Sequence, residues 1–332
     1  MPSAKRTSPA EPGSLSEVVT ISRQFLRSVR VDADFGREDA LLGYVCQGTA
    51  RTLLESMARQ IVDTKQRAFT WTGPYGGGKS SLALMLCTLV GPNAKLRSRA
   101  KQILDLPDSS YVHRAFDARG AGWLVVPVVG KRASAMTEIS HALALAKGEA
   151  PPKRKTVDAV GELVAAGEQY KQGVLVVVDE LGKFLEASAQ DGDDIYFFQE
   201  LAEAASRTSG KLVVVGILHQ AFEAYASRLG REARDDWAKV QGRFVDIPLV
   251  SATDEVIELI GRAINVDPTI NRGKAAGFID VVAKAIRARR PGTPPGIANG
   301  LTRCWPLHPV TAALLGPISK RRFGQKIGRA HV

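Results

Sequence analysis

Ala68–Val90 reads AFTWTGPYGGGKSSLALMLCTLV. It opens with a short β-type apolar run and closes with a nearly unbroken apolar helical run, Leu82–Val90. Between them, Gly73-Pro74-Tyr75-Gly76-Gly77-Gly78-Lys79-Ser80 fits Gly-x-x-x-x-Gly-Lys-Ser/Thr, and Ser81 follows. Each residue type answers a chemical need. Glycines let successive backbone N–H groups turn inward around phosphates. A helix beginning near Lys79 aims its positive end at the same anion. Lys79 reaches the outer phosphates as a point charge, and the Ser80 hydroxyl suits a magnesium ion. The stretch therefore predicts a strand, a phosphate cradle and a buried helix, with Mg-ATP as the ligand.

A second stretch, Val174–Glu180 (VLVVVDE), is a buried strand ending in two carboxylates. In an open parallel sheet, ligands gather at the carboxyl ends of the strands. This puts Asp179 and Glu180 beside the phosphate loop. Asp179 is expected to hold Mg²⁺, and Glu180 to polarise an attacking water as general base.

Working outward, β-branched runs alternate with helical patterns, the signature of a helix-covered parallel sheet. Five strands are predicted: Ala68–Thr72, Trp123–Val129, Val174–Val178, Leu212–Ile217 and Phe244–Leu249. Their continuous apolar character suits strands covered on both faces. Helices are predicted over Lys79–Val90, Ala135–Ala146, Val157–Tyr170 and Asp194–Arg207, with one or two more within Arg37–Ile61. After about Ser251 the pattern becomes helical only: Thr253–Ile264, N-capped by Ser251 or Thr253, then Ala275–Arg289 and Pro309–Ile318.

The strand within Lys211–Gln220 (KLVVVGILHQ) is expected between the first and third strands. A polar residue at its end, His219 first and Gln220 second, can sense the terminal phosphate. Gln241-Gly242-Arg243-Phe244 precedes the fifth strand. Arg243 there lies on an edge from which a fixed donor fork reaches a neighbour's nucleotide. A surface salt bridge to Asp235 or Asp236 is the plainer reading.

The chain has 332 residues, 45% of them hydrophobic, enough for a proper core. Cys46, Cys87 and Cys304 form no paired motif, which excludes a zinc ribbon or disulfide framework and suits a cytoplasmic protein. His113, His141, His219 and His308 are scattered, so no metal cluster is signalled; His308, in PLHP, reads as structural, capping the helix that follows. No segment has the roughly 18 apolar residues of a membrane helix. The net charge of +11, with basic clusters at Lys95–Lys101, Lys153–Lys155 and Arg287–Arg290, allows DNA as a partner without requiring it.

The adjacent carboxylates, the polar end of the fourth strand and the Arg-Phe before the fifth resemble the AAA+ class of P-loop ATPases, over about Arg37 to Gln325. GPYGGGKSSLAL, VVVDELGKFLE, LHQAFEAYA, WAKVQGRF and PLHPVTAALLGPISKRRFGQ resemble, more narrowly, the large ATP-binding proteins of prokaryotic phage-defence islands, including the BREX-type ATPases. The resemblance implies an AAA+-like α/β domain followed by an all-helical lid, with Arg243 as an arginine finger. It also implies a second sensor arginine just after Phe323-Gly324-Gln325, and Leu42-Gly43-Tyr44 along the adenine pocket, though plain core packing serves Tyr44 equally well.

The expected organisation is a disordered tail (1–16), an ATP-binding α/β domain (17–250) and a partial lid (251–326). The last residues, 327–332 (IGRAHV), match a translated sequencing adapter and are expected to be non-native, so that the natural protein runs on past Gln325. The leading function is a Mg-ATP-hydrolysing motor or remodeller that powers or gates an anti-phage complex, with self-association or other subunits as partners. Two alternatives are a slow nucleotide-controlled assembly switch and a DNA-binding defence subunit whose ATP site regulates loading.

Overall fold

The computed structural model describes residues 14–25, 27–153, 158–191, 195–220, 225, 231–268 and 275–318. Most of the expected 1–16 tail, part of the Lys153–Lys155 cluster, Phe323–Gln325 and residues 327–332 lie outside them. The chain divides into two compact units, with a boundary after Ser251.

The first unit, from Val29 to Ser251, is built on a five-stranded parallel sheet. A three-residue strand of the second unit, β1 (Val19–Ile21), precedes it in the chain. The sheet strands are β2 (Ala68–Thr72), β3 (Leu124–Val129), β4 (Val174–Asp179), β5 (Leu212–Leu218) and β6 (Val245–Pro248). Their spatial order is β3-β4-β5-β2-β6, so the strand ending at Leu218 does lie between the first and third. The registers Thr72↔Leu218, Val178↔Gly216 and Thr72↔Pro248 bring the carboxyl ends of β2, β4, β5 and β6 to one edge.

Helices cover both faces, and the strands show why they read as continuous apolar runs. Phe69, Trp71, Leu175, Val177, Val213 and Val215 point into one core. That core is completed by α1 (Gly48–Thr64), α2 (Lys79–Val90) and α3 (Ala94–Leu104), next to which α4 (Tyr111–Ala115) packs. The alternate residues Ala68, Val174, Val176, Val178, Leu212 and Val214 point into the other. It is shared with α5 (Ala135–Lys147), α6 (Ala159–Gln169), α7 (Leu181–Asp191), α8 (Tyr196–Arg207) and α9 (Arg231–Gln241). Phe69 is fully buried. Truncating such an aromatic to alanine costs about 3–5 kcal/mol, through lost burial plus the cavity left behind. Within Arg37–Ile61 the predicted helices are a 3₁₀ turn, Asp39–Leu41, and the start of α1.

The second unit joins described residues near the start of the chain to those after Ser251. It holds α10 (Thr253–Ala263), α11 (Ala275–Arg289), α12 (Ile297–Arg303) and α13 (Pro309–Ile318), packed on Ile257, Ile279, Ala283, Leu301 and Ala312. It is not purely helical. The strand β7 (Ile264–Val266) pairs antiparallel with β1, Val19↔Val266 and Ile21↔Ile264. The α/β unit accordingly starts at Val29 rather than near residue 17.

Two expected caps are settled here. The N-cap of α10 is Ala252, neither Ser251 nor Thr253; the Glu255 carboxylate accepts from the Ala252 N–H at 3.0 Å. This satisfies one of the four free donors of a helix start without a capping hydroxyl. His308 does cap α13: its Nδ1 accepts from the Val310 N–H at 3.3 Å.

Candidate functional site

The loop between β2 and α2 sits at the carboxyl edge of the sheet. Gly73 has φ +154°, and a Cβ there would lie 2.3 Å from the Leu249 carbonyl oxygen, so only glycine passes this point. Pro74 and Gly77 close a turn, the Gly77 N–H donating to the Pro74 carbonyl at 3.2 Å. Gly78, at φ +81°, is the N-cap of α2. The chain thus enters a helix through a left-handed residue, leaving the first-turn N–H groups of α2 without intrahelical partners.

Lys79 is almost fully buried at the start of α2. Its ammonium donates to the carbonyls of Gly73 at 2.6 Å and Pro74 at 2.9 Å. Burial pulls its pKa down to about 8, against the opposing pull of Asp179. Ser80 hydrogen-bonds to the Asp179 side chain. Asp179 ends β4, is only 4% exposed, and also accepts from the Glu180 N–H at 2.9 Å. Burial raises its pKa, while the bonds from Ser80 and Glu180 and the charge of Lys79 oppose that rise. Lys79, Ser80 and Asp179 therefore meet across β5, which separates their strands.

Glu180 follows in a left-handed conformation, φ +54°. A non-glycine residue there is uncommon and carries strain of about 1–3 kcal/mol. Gly130 makes room for it: a Cβ on Gly130 would lie 2.1 Å from the Glu180 carbonyl oxygen, and the Gly130 N–H donates to the Asp179 carbonyl at 2.6 Å. The Glu180 carboxylate, partly exposed, is ion-paired with Lys183 on the first turn of α7.

His219 stacks on Tyr75 of the loop, ring centroids 3.6 Å apart and planes inclined by 17°. Both His219 ring nitrogens are buried with no hydrogen-bond partner. Burial first, then the charges of Lys79 and Lys183, hold its pKa down at about 4, so the imidazole is neutral at physiological pH. The Tyr225 hydroxyl oxygen accepts from the His219 N–H at 3.3 Å. Gln220 is exposed beyond the strand. Loop residues Gly73 to Ser81, with Asp179, Glu180 and His219, are thus at one edge.

Arg243 is not. It stands two residues before β6, whose Val245 pairs with Phe69, at the amino edge of the sheet. Its guanidinium Nε lies 3.0 Å from the Glu203 carboxylate of α8. This is a surface ion pair, but to neither acid of the plainer reading, Asp235 or Asp236, the latter's side chain lying outside those described. Tyr44 is half-buried against the α1–α2 core, and burial raises its hydroxyl pKa, consistent with packing; Leu42 is exposed and Gly43 has φ +76°.

The sequence reading passed over Lys183. The signal was present, since a Glu and a Lys three residues apart at a helix start face each other. It also passed over Gly130, whose role depends on the distant backbone of Glu180, and over Tyr225, whose hydroxyl meets the His219 N–H.

No family model matches the chain, and no curated protein matches it. Among solved structures, Cdc6p from Pyrobaculum aerophilum is similar over 68% of this chain and 53% of that one, with 14% identity and a TM-score of 0.37. The chain thus spans about half the length of that structure. On its own strand order, with the glycine-rich loop after β2 and the acidic pair after β4, the α/β unit has the fold of a P-loop NTPase, AAA+-like in its arrangement.

Proposed function

We propose that the chain binds Mg-ATP in the loop from Gly73 to Ser81 and hydrolyses its terminal anhydride. The observation that carries this reading is the meeting of Lys79, Ser80 and buried Asp179 across β5. Backbone N–H groups at the start of α2 receive the phosphates, and Lys79 exchanges its two loop carbonyls for phosphate oxygens.

The residues present fit a magnesium ion. A serine hydroxyl and a buried carboxylate are hard oxygen donors, and a desolvated Asp179 gains from a divalent cation. Ser80 and Asp179 would hold it. When bound, the ion supplies charge neutralisation on the outer phosphates. Glu180 accepts the proton of the attacking water. His219, neutral and with unpartnered nitrogens, is placed to hydrogen-bond the terminal phosphate once Tyr75 shifts. Arg243 serves a neighbouring copy or subunit, since it faces away from its own site.

The finer role is read from the sequence strings: a cytoplasmic module that powers or gates an anti-phage complex, in association with itself or other subunits. Among the described residues no helix is long and apolar enough to cross a membrane. The net charge of +11 supports DNA as a further partner.

The test is ATP turnover per chain across a range of protein concentrations, with Glu180→Gln as control. Turnover that rises with concentration is expected, as is a loss of about 10²–10⁴-fold in Glu180→Gln with nucleotide binding retained. Unchanged turnover in Glu180→Gln removes Glu180 from its role. Low turnover that ignores concentration favours the assembly switch.

A further inference from the structure

Lys183 belongs to no phosphate-loop or acidic-strand pattern, yet it is held against the residue proposed as general base. Its ammonium pairs with the Glu180 carboxylate, and its backbone N–H donates to the Glu180 carbonyl at 2.9 Å. The Glu180 backbone is held in the left-handed region, its carbonyl oxygen packed close against Gly130. The pair is solvent-facing, with side chains 50% and 30% exposed. Exposed pairs of this kind are weak and exchange readily for a more highly charged partner. Lys183 also faces the loop side of the site. Its charge acts on His219 in the same direction as that of Lys79, and on Tyr75 against that of Glu180. A triphosphate seated on Lys79 brings its terminal group, the most negative part of the ligand, to this side.

We propose that Lys183 is a positioning residue that exchanges partners: it pairs with Glu180 when no triphosphate is bound, and with the terminal phosphate when one is. Arrival of a triphosphate then frees the Glu180 carboxylate, while a diphosphate, lacking the terminal group, leaves the pair closed. The site thereby tells ATP from ADP through the same side chain that masks its base. This rests on the proposed nucleotide site and adds a specificity element to it.

The test is equilibrium binding of a non-hydrolysable ATP analogue and of ADP, both with Mg²⁺, to the full chain and to four variants at Lys183 and Glu180. Lys183→Met is expected to weaken the analogue about tenfold and leave ADP unchanged, the size of one charge-assisted contact. Glu180→Gln is expected to tighten the analogue several-fold with ADP again unchanged, because the phosphate no longer competes for Lys183. The gain should vanish in the double variant, and Lys183→Arg should keep most of the discrimination. Equal loss of both nucleotides in Lys183→Met, or a Glu180→Gln gain that survives in the double variant, overturns the exchange. Failure of the wild-type chain to bind either nucleotide, or equal binding by Lys79→Ala, overturns the site itself and is a separate outcome.

Discussion

The two edges of the parallel sheet are furnished very differently. At the carboxyl edge, Lys79, Ser80, Asp179, Glu180 and His219 crowd together, with a buried carboxylate, a depressed lysine, a strained backbone and two unpartnered ring nitrogens. At the amino edge, Arg243 is half exposed and satisfied by Glu203, and its carbonyl accepts from Gln66 at 3.3 Å. By register Arg243 lies opposite residue 67, six residues before Gly73. At ~3.3 Å per residue the two edges are about 20 Å apart. Perturbed, costly chemistry gathers at the edge where a ligand is proposed, and ordinary surface chemistry at the other. One copy of this chain therefore carries the proposed phosphate site at one edge and, at the other, an arginine that cannot reach it.

The sharpest attack on this comparison is mixing. Arg243→Ala should lower turnover about 10³-fold at concentrations where chains associate, with nucleotide affinity unchanged. Combining it with Lys79→Ala, itself inactive, should restore part of the activity, since one variant supplies the arginine and the other the lysine. No rescue by the mixture would make Arg243 a structural residue of its own edge.

Next in size is Lys79→Ala measured alone. Losing two charge-assisted contacts should weaken ATP about a hundredfold; equal affinity in a direct binding assay would end the assignment of the carboxyl edge.

A smaller effect follows from the depressed pKa of Lys79. The free lysine loses its proton as pH rises through about 8, whereas bound phosphates favour the charged form. ATP affinity should therefore be flat below about pH 8 and fall above it, by up to about tenfold per pH unit. A fluorescent-nucleotide titration from pH 7 to 9.5 reads this directly, and a flat profile would place Lys79 away from the phosphates.

The smallest effect belongs to the amino edge. Glu203→Gln weakens two partly exposed ion pairs, to Arg243 and to Arg207, and should change stability by about 1 kcal/mol or less in a denaturant titration. A much larger loss would show that the edge is built for the fold rather than left free for a partner.

Much of this architecture was legible. Lys79–Val90, Ala275–Arg289 and Pro309–Ile318 are helices over the residues anticipated, because apolar spacing and flanking breakers mark them. The runs at Ala68 and Val174 are strands because both faces are buried, so no alternation was needed to see them. What escaped depends on distant partners. Val19–Ile21 and Ile264–Val266 are three residues each, too short for a period, and each is a strand only because the other exists. The Tyr75–His219 stack joins a loop to a strand end far along the chain. The ion pair of Arg243 is with Glu203, forty residues earlier in the chain and beyond the reach of local sequence reading.

The pairing of Val19–Ile21 with Ile264–Val266 also sets an order of events during synthesis. The strand nearer the amino terminus emerges from the ribosome early and must wait unpaired while Val29–Ser251 is made. The α/β unit needs nothing outside that span to close its sheet, so it can fold first. The β1–β7 pair of the second unit can close only afterwards, across one of the longest sequence separations the chain offers.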